Sequence, residues 1–177
     1  MKRKIKMIRV GRERLKEAVE IVGAVNEQMQ EKSWFVAESF EEFDRWMKEE
    51  KGILYLAEDE ETGEVGGMFF VILPGMDEEN LGHDISMQGE DLIQCAMMDT
   101  AAVLPEFRGN HLQYDLMQMA ERDLEKMGYR YLLCTVHPEN RFSRENVRSQ
   151  GYEKVLTKEK YGGYLRDIWM KKLENIR

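Results

Sequence analysis

The sequence predicts a single domain of the α/β (α+β) class over residues 1–177, with a mixed, mostly antiparallel sheet of about seven strands and helices on both faces. Three observations predict this fold. The apolar and amphipathic segments follow the order β-α-α-β-β-β-α-β-α-β-β. Two strand-like runs, 52–57 and 65–73, are apolar nearly throughout, which is typical of a sheet that is covered on both faces. A chain of 177 residues is long enough for one full core and short for two.

The first segment of the chain predicts one strand and two helices. Residues 3–10 alternate loosely between apolar and polar side chains, as in a strand, and residues 12–30 carry apolar side chains at helical spacing. Ser39 is followed three residues later by Glu42, the capping-box pattern that opens a helix. We expect Gly52 to end that second helix.

A hairpin and a long insert come next. The two apolar runs are joined by a charged turn at 59–63, which predicts an antiparallel pair. The segment 74–91 is longer than an ordinary loop in a compact domain. It contains acidic residues and no lysine or arginine; the acidic residues are Asp77, Glu78, Glu79, Asp84, Glu90 and Asp91. Two interpretations are open: a mobile hairpin tip, or a lid or acceptor-binding loop that favours a cation.

The second half of the chain alternates strands and helices. The patterns predict strands at 92–103, 129–136, 152–157 and 163–170, a helix at 112–127, and a short helix at 143–151. The two strands that flank the longer helix need a crossover connection, so they should be parallel. If the final strand lies at the edge of the sheet, it offers a surface for pairing with a second copy of the chain, as a homodimer.

Composition excludes several classes of partner. The formal net charge of −8 disfavours a nucleic-acid partner and docking on an anionic membrane. Cys95 and Cys134 lie in apolar runs and are interpreted as buried, reduced thiols of a cytoplasmic protein. The sequence has no spacing of cysteine and histidine that indicates a metal site, and no segment of the length of a signal peptide or a membrane span.

The junction at 101–113 is the candidate functional stretch. A strand ends there in a short loop that contains a proline, Arg108, Gly109 and Asn110, and a helix follows. The first N–H groups of a helix have no partner inside it, and the helix dipole is positive at that end. Such a junction suits a phosphate or pyrophosphate.

The run Val103-x-Pro105-x-Phe107-Arg108-Gly109-Asn110 resembles the acyl-CoA pyrophosphate loop of the GNAT N-acetyltransferase superfamily. A second segment matches the family's Asn-x-x-Ala/Ser…Gly-Phe/Tyr spacing, with Asn140, Ser143, Val147, Gly151 and Tyr152. The order of elements also matches over essentially the whole chain. The resemblance implies a GNAT-like fold, acetyl-CoA as the cofactor with CoA as the product, and a small-molecule or peptide amine as the acceptor.

The resemblance also implies the residues that bind the cofactor. Main-chain N–H groups from Gly109 to Tyr114, with Arg108, would bind the pyrophosphate, and a main-chain N–H near Ala101 would polarise the thioester carbonyl. The full set is Ala101, Ala102, Val103, Arg108, Gly109, Asn110, His111, Leu112, Gln113, Tyr114, Asn140 and Ser143. The sequence departs from the family pattern at His111 and Gln113, where the family has small residues. His111 either contacts a phosphate or points to solvent.

The catalytic groups are less clearly marked. Asp99 is the leading candidate for the general base, because burial within an apolar strand raises the pKa of a carboxyl; the alternative is a structural carboxylate at a bulge. His83 and Glu90 are second choices, and His137 is interpreted as structural. The family's usual general-acid tyrosine is replaced by Val147. The substitutes that the sequence offers are Cys134, Tyr114 and Tyr152.

The sequence therefore predicts an N-acetyltransferase that moves an acetyl group from acetyl-CoA to a primary amine of a small, cationic acceptor by direct attack. The missing tyrosine and the altered loop keep an alternative open. In that alternative the domain senses acyl-CoA, or serves as an interaction domain, with weak or no catalysis.

Overall fold

The computed structural model of the chain describes residues 2–174. The strands are β1 (Ile5–Val10), β2 (Gly52–Asp59), β3 (Val65–Ile72), β4 (Cys95–Val103), β5 (Tyr131–Val136), β6 (Glu153–Lys160) and β7 (Tyr164–Lys172). The helices are α1 (Leu15–Gln28), α2 (Phe40–Lys48), α3 (Gly89–Ile93), α4 (Leu112–Lys126) and α5 (Arg141–Ser149). Short 3₁₀ turns form at Arg12–Arg14, Lys32–Trp34, Leu81–Ile85 and Pro105–Phe107.

The strands form one mixed seven-stranded sheet in the order β1-β2-β3-β4-β5-β7-β6. β4 and β5 are parallel, as expected for strands joined through a helix, and their ladder pairs Cys95–Met97 with Tyr131–Leu133. The β1–β2, β2–β3, β5–β7 and β6–β7 pairs are antiparallel. The predicted fold class is confirmed. None of the helices formed by residues 2–174 is long and apolar enough to cross a membrane.

The chain divides into two compact units, and the single-domain organisation stays a prediction. The first unit contains the residues up to Gln30, together with Ala37–Ile72 and Asp99–Ala120. Its core is formed by the apolar faces of α1 and α2 with β2 and β3, where the rings of Phe43 and Phe70 meet edge to face at 4.8 Å. These residues are apolar at helical spacing in the helices and continuously in the strands, which explains why both strands are buried on both faces.

The second unit contains Glu31–Val36, Leu73–Met98 and the residues from Glu121 onwards. Its core contains β5, which is buried at almost every position, and the middle of β7. Gly151, with φ of +93°, allows the sharp turn between α5 and β6.

The insert at 74–91 is more structured than a simple hairpin tip, one of its two predicted interpretations. It forms the 3₁₀ turn Leu81–Ile85 and the beginning of α3, and α3 takes two residues that the sequence assigned to the next strand, so β4 begins at Cys95. Asn80 explains this arrangement. Its side chain, 1% exposed, accepts from the Gly82 N–H and donates to two main-chain oxygens that lie outside the turn, those of Gly75 and Leu92.

Two helix boundaries and the position of the last strand also differ from the prediction. The second helix ends at Lys48, and Gly52 begins β2 instead of ending the helix. α5 begins at Arg141, because the Asn140 side chain caps it by accepting from the Ser143 N–H at 3.2 Å. The final strand is not an edge strand, since β7 lies between β5 and β6. The expectation that 163–170 could pair with a second copy was therefore wrong, and β6 is the edge on that side.

Candidate functional site

The junction between β4 and α4 is held by the main chain and by one buried aromatic ring. The Leu104 N–H donates to the Gly66 oxygen at 2.8 Å, and the Phe107 N–H donates to the Leu104 oxygen at 2.9 Å. Phe107 is fully buried. Its ring occupies the space beside Gly66, where an added Cβ would lie 2.1 Å from the ring carbons. A glycine in β3 therefore fixes the position of the loop that precedes α4.

The exposed part of the junction presents main-chain N–H groups. The first main-chain bond of α4 runs from the Asp115 N–H to the His111 oxygen at 3.0 Å, so the N–H groups of Leu112, Gln113 and Tyr114 have no acceptor within the helix. Gly109 has φ of +83°, with open space where a Cβ would stand. This donor set at the positive end of a fifteen-residue helix fits an anionic group such as a pyrophosphate.

Two side chains complete this junction. Arg108 is exposed, next to Gly109. The side-chain amide of Asn110 turns back on the loop and donates to the Phe107 oxygen at 2.8 Å. Asn110 thus stabilises the loop through its side chain, which leaves its main chain as the part available to a ligand.

His111 adopts a backbone conformation that favours glycine. Its φ is +57°, in the left-handed region, and its side chain is exposed. The family pattern has a small residue at this position, and the conformation explains why a glycine suits it. Gln113 lies in the first turn of α4 and is half-buried.

The end of β4 carries the predicted catalytic positions. Along the strand, Asp99, Ala101 and Val103 are half-buried and alternate with the buried Thr100 and Ala102. The three half-buried residues share one face of the strand. The Thr100 hydroxyl donates to Asp99 Oδ2 at 2.8 Å, which holds the carboxylate in one orientation. Asp99, Ala101, Ala102 and Val103 are thus continuous with the loop at Arg108–Tyr114 in the first unit.

The second unit contains the remaining candidates. Cys134 is buried, and burial raises the pKa of its thiol to about 12. Tyr152 is also buried, and its hydroxyl pKa is raised well above the ordinary value, mainly by desolvation. Both shifts make these groups weak proton donors. Val147, at the position of the family's tyrosine, is buried in α5. Asn140 and Ser143 interact with each other at the start of α5.

Several carboxylates of the acidic insert bind other groups of this chain. Asp84 binds the ammonium groups of Lys158 and Lys160 at 2.6 and 2.7 Å. Asp77 accepts from the Glu79 N–H at 2.9 Å, and Asp91 accepts from a tyrosine hydroxyl of β5. Of the second-choice bases, His83 binds the Asp77 oxygen through Nε2 at 3.0 Å, and Glu90 is exposed in the first turn of α3. His137 accepts from the Glu139 N–H at 3.1 Å and stacks on Trp34, with ring centroids 5.8 Å apart.

Arg166 was not among the candidate residues predicted from the sequence. This side chain is only 3% exposed although it carries a charge. A signal was present, since Arg166 interrupts the apolar pattern of the last strand between Leu165 and Ile168. A charged residue inside a strand-like run is rarely fully buried without a specific reason.

Comparison with known proteins gives a family match and a set of structural neighbours. The family model described as the Acetyltransferase (GNAT) family matches residues 20–152. No curated protein matches the chain in sequence. One similar structure is the ribosomal-protein-S18-alanine N-acetyltransferase from Escherichia coli, with 15% identity, a TM-score of 0.70, and coverage of 98% of this chain and 99% of that chain.

Two further structures have a similar fold. The N-acetyltransferase from Staphylococcus aureus Mu50 has 14% identity and a TM-score of 0.70, covering 97% of this chain and 99% of that chain. The ribosomal-protein-alanine N-acetyltransferase from Brucella melitensis has 18% identity and a TM-score of 0.68, covering 95% of this chain and 99% of that chain. At these identities the likeness concerns the fold alone.

Proposed function

Because this chain belongs to the GNAT acetyltransferase family, we propose that it transfers an acetyl group from acetyl-CoA to a primary amine of its acceptor by direct attack. The observation that carries the proposal is the N-terminus of α4. Three main-chain N–H groups there have no acceptor within the helix, and they follow the exposed Arg108 and Gly109, which has open space where a Cβ would stand. The negative charge of a pyrophosphate is stabilised by N–H donors at the N-terminus of a helix.

The binding residues of the proposal are those of the β4–α4 junction. Main-chain N–H groups from Gly109 to Tyr114 would bind the pyrophosphate, and the Arg108 guanidinium would add positive charge beside it. The main chain of residues 101–103 would hold the extended arm of the cofactor. Asn140 and Ser143 stay predicted cofactor contacts; in the structure the Ser143 main-chain N–H donates to the Asn140 side chain, which caps α5.

The proposed chemistry needs one base and one main-chain donor from this chain. When bound, acetyl-CoA supplies an activated thioester that a neutral amine can attack. Asp99 accepts the proton that an ammonium acceptor must lose, directly or through water. The N–H of Ala101 would stabilise the negative charge that develops on the thioester oxygen. The hydrogen bond from Thr100 keeps the Asp99 carboxylate oriented for this role.

Which group acts as the general acid stays a prediction. Cys134 was a candidate, yet a thiol with a pKa of about 12 is a poor proton donor at neutral pH. Tyr152 has the same disadvantage. Tyr114 is exposed in the first turn of α4, and among the three substitutes it alone is open to solvent. Water is the other donor consistent with these observations.

The cationic character of the acceptor and the cellular location of the protein are also proposals. An acceptor amine is a cation at neutral pH before it loses its proton, which agrees with the predicted cationic acceptor. The acidic insert supports that prediction less than its composition suggests, because Asp77, Asp84 and Asp91 bind groups of the chain itself. Cys95 and Cys134 are free and buried, which supports the predicted cytoplasmic location.

Thermal unfolding with and without acetyl-CoA tests cofactor binding, with ATP as the phosphate control. A ligand at about a hundred times its dissociation constant adds roughly 2.7 kcal/mol to the free energy of unfolding. We expect the melting temperature to rise with acetyl-CoA and not with ATP. An unchanged melting temperature with acetyl-CoA would contradict the assignment of the junction.

The variant Arg108→Glu tests the loop directly. The substitution puts a negative charge beside the pyrophosphate, so we expect at least about tenfold weaker binding of CoA with an intact fold. Arg122→Glu makes the same change of charge at an exposed position of α4 and should leave the affinity unchanged. Calorimetric titration of both variants gives the comparison, and equal affinities would refute the loop assignment.

Release of thiol from acetyl-CoA separates an enzyme from an acyl-CoA sensor. An enzyme releases thiol slowly without acceptor and much faster with a suitable amine. A chain that binds acetyl-CoA and releases no thiol with any amine of a broad panel would favour the sensor.

A further inference from the structure

Arg166 is a buried cation that has no carboxylate partner among residues 2–174. Its side chain donates from Nη1 to the Leu165 oxygen at 2.8 Å and from Nη2 to the Ser33 oxygen at 2.5 Å. Within residues 2–174 no carboxylate lies within ion-pair distance of its guanidinium, and burial lowers its pKa. These bonds use two of the five N–H donors of an arginine. A buried charge without a counter-ion is costly, so its presence calls for a reason.

The face of the sheet around Arg166 has an excess of positive charge. Lys158 lies directly opposite Arg166 in the β6–β7 ladder, and Lys160 lies opposite Tyr164. Directly opposite residues of an antiparallel pair project from the same face. Asp84 binds both lysines. Among residues 2–174, Arg166, Lys158 and Lys160 thus share this face with one ion-paired carboxylate, in a chain whose net charge is −8.

Aromatic rings border the guanidinium. The ring centroids of Tyr164 and Tyr161 lie 5.4 and 5.9 Å from the Arg166 guanidinium carbon. The Tyr161 hydroxyl lies 3.0 Å from the Thr135 hydroxyl near the end of β5. Trp34 follows Ser33 in the loop at 31–36. Its ring stacks on the ring of His137, the residue that follows β5.

The loop at 31–36, Tyr161 and Arg166 therefore lie near the carboxyl end of β5, which is parallel to β4. Asp167 pairs with Val136, the last residue of β5, and Arg166 is the next residue beyond that pair. In open sheets with parallel strands, ligands bind outside the carboxyl ends of those strands. The second unit thus combines an unpaired guanidinium, surplus positive charge and aromatic walls at a place that favours a ligand.

We propose that Arg166 binds the carboxylate of a ligand in the second unit, such as the carboxylate that a free amino acid carries. The inference goes beyond the proposed function, since it assigns a ligand to residues of the second unit alone. A carboxylate supplies the missing counter-ion and matches the planar fork of the guanidinium. Lys158 and Lys160 raise the local concentration of such anions.

Calorimetric binding without acetyl-CoA tests the carboxylate requirement apart from turnover. The probes are the free L-amino acids, each beside its own α-carboxamide, which keeps the amine and side chain and lacks the charge. We expect at least one amino acid to bind roughly ten- to a hundredfold more tightly than its amide. Dipeptides with a free carboxyl group form a second arm, and tighter binding of dipeptides than of amino acids identifies a peptide carboxylate as the source.

Matched variants assign the effect to Arg166. Arg166→Met should abolish the difference between acid and amide and leave amide binding unchanged. Its melting temperature should stay within a few degrees of the parent's, since a buried ion can be replaced by an apolar side chain at little cost. Arg122→Met, an exposed position of α4, is the control with the same loss of charge. If Arg166→Met does not fold, Lys158→Met carries the test, with an expected severalfold loss of affinity for the acid alone.

The outcomes are distinct from those of the proposed function. Equal binding of every acid and its amide, or an acid preference that persists in Arg166→Met, overturns the carboxylate assignment. The acetyl-CoA shift in melting temperature is measured on the same preparations. If acetyl-CoA does not raise the melting temperature but acids still bind more tightly than their amides, the proposed cofactor site is contradicted. If acetyl-CoA raises the melting temperature but acids and amides bind equally, only the role of Arg166 is contradicted.

Discussion

His111 adopts a left-handed backbone conformation that favours glycine. A non-glycine residue at φ of +57° costs about 1–2 kcal/mol relative to the right-handed region. We therefore expect His111→Gly to raise the free energy of unfolding by up to about 1 kcal/mol, after the greater chain entropy of glycine is deducted. Chemical denaturation measures this change.

Gln113 supplies the matched control for His111. Gln113 lies inside the first turn of α4, where glycine is unfavourable, so Gln113→Gly should lose about 1 kcal/mol. If both glycine variants destabilise the chain equally, the backbone of His111 is not strained. Acetyl-CoA binding by His111→Gly should equal or exceed that of the parent, because a side chain beside the proposed pyrophosphate site is removed.

Gly66 and Phe107 form the second residue-level constraint. An added Cβ at Gly66 would lie 2.1 Å from the Phe107 ring, a distance that requires the ring to move. Gly66→Ala should lower the free energy of unfolding by about 1–3 kcal/mol and weaken acetyl-CoA binding, since Phe107 holds the loop. Gly67→Ala is the control, because its nearest neighbours lie at an ordinary 3.5 Å. A Gly66→Ala chain as stable as Gly67→Ala would contradict this packing.

At the scale of a secondary-structure element, the capping box of α2 is the clearest local determinant. The Glu42 N–H donates to the Ser39 hydroxyl oxygen, and the Ser39 N–H donates to the Glu42 carboxylate. Ser39→Ala should cost about 1 kcal/mol in thermal or urea unfolding. Glu42→Gln preserves an acceptor at the same place and should change stability less. A larger loss in Glu42→Gln than in Ser39→Ala would point to the charge of Glu42 instead of the cap.

At the scale of the whole molecule, acid should destabilise the fold through its paired carboxylates. The hydrogen bonds of Arg12 and then of Lys48 lower the pKa of Asp44 to about 2. A folded-state pKa below the unfolded value means that the pair stabilises the fold above about pH 4, and that this contribution is lost as the pH falls towards about 2. The melting temperature should therefore fall steeply across that range.

Asp44→Asn isolates this contribution. The variant should be less stable than the parent near neutral pH, and the difference should narrow as the pH approaches 2. Glu41→Gln, at an exposed neighbouring position on α2, should track the parent throughout. A difference between Asp44→Asn and the parent that stays constant with pH would show that Asp44 is not titrating with the lowered pKa.

The sequence by itself determined the features that depend on local periodicity and short-range chemistry. Apolar spacing predicted the seven strands and the long helices, and Ser39 with Glu42 predicted a cap that both hydrogen bonds confirm. The loop around Arg108 and Gly109 gave the family resemblance that the family match confirms. These features could be predicted because they lie within a few residues of one another along the chain.

Only the tertiary structure decided what depends on contacts between distant residues. The Asn80 side chain links its own turn to Leu92, which converts part of a predicted strand into α3. The position of β7 between β5 and β6 removes the final strand from the edge. The guanidinium of the buried Arg166 donates to the main-chain oxygen of Ser33, more than a hundred residues away in the chain. Burial and charge pairing are properties of the assembled chain, and no local pattern encodes them.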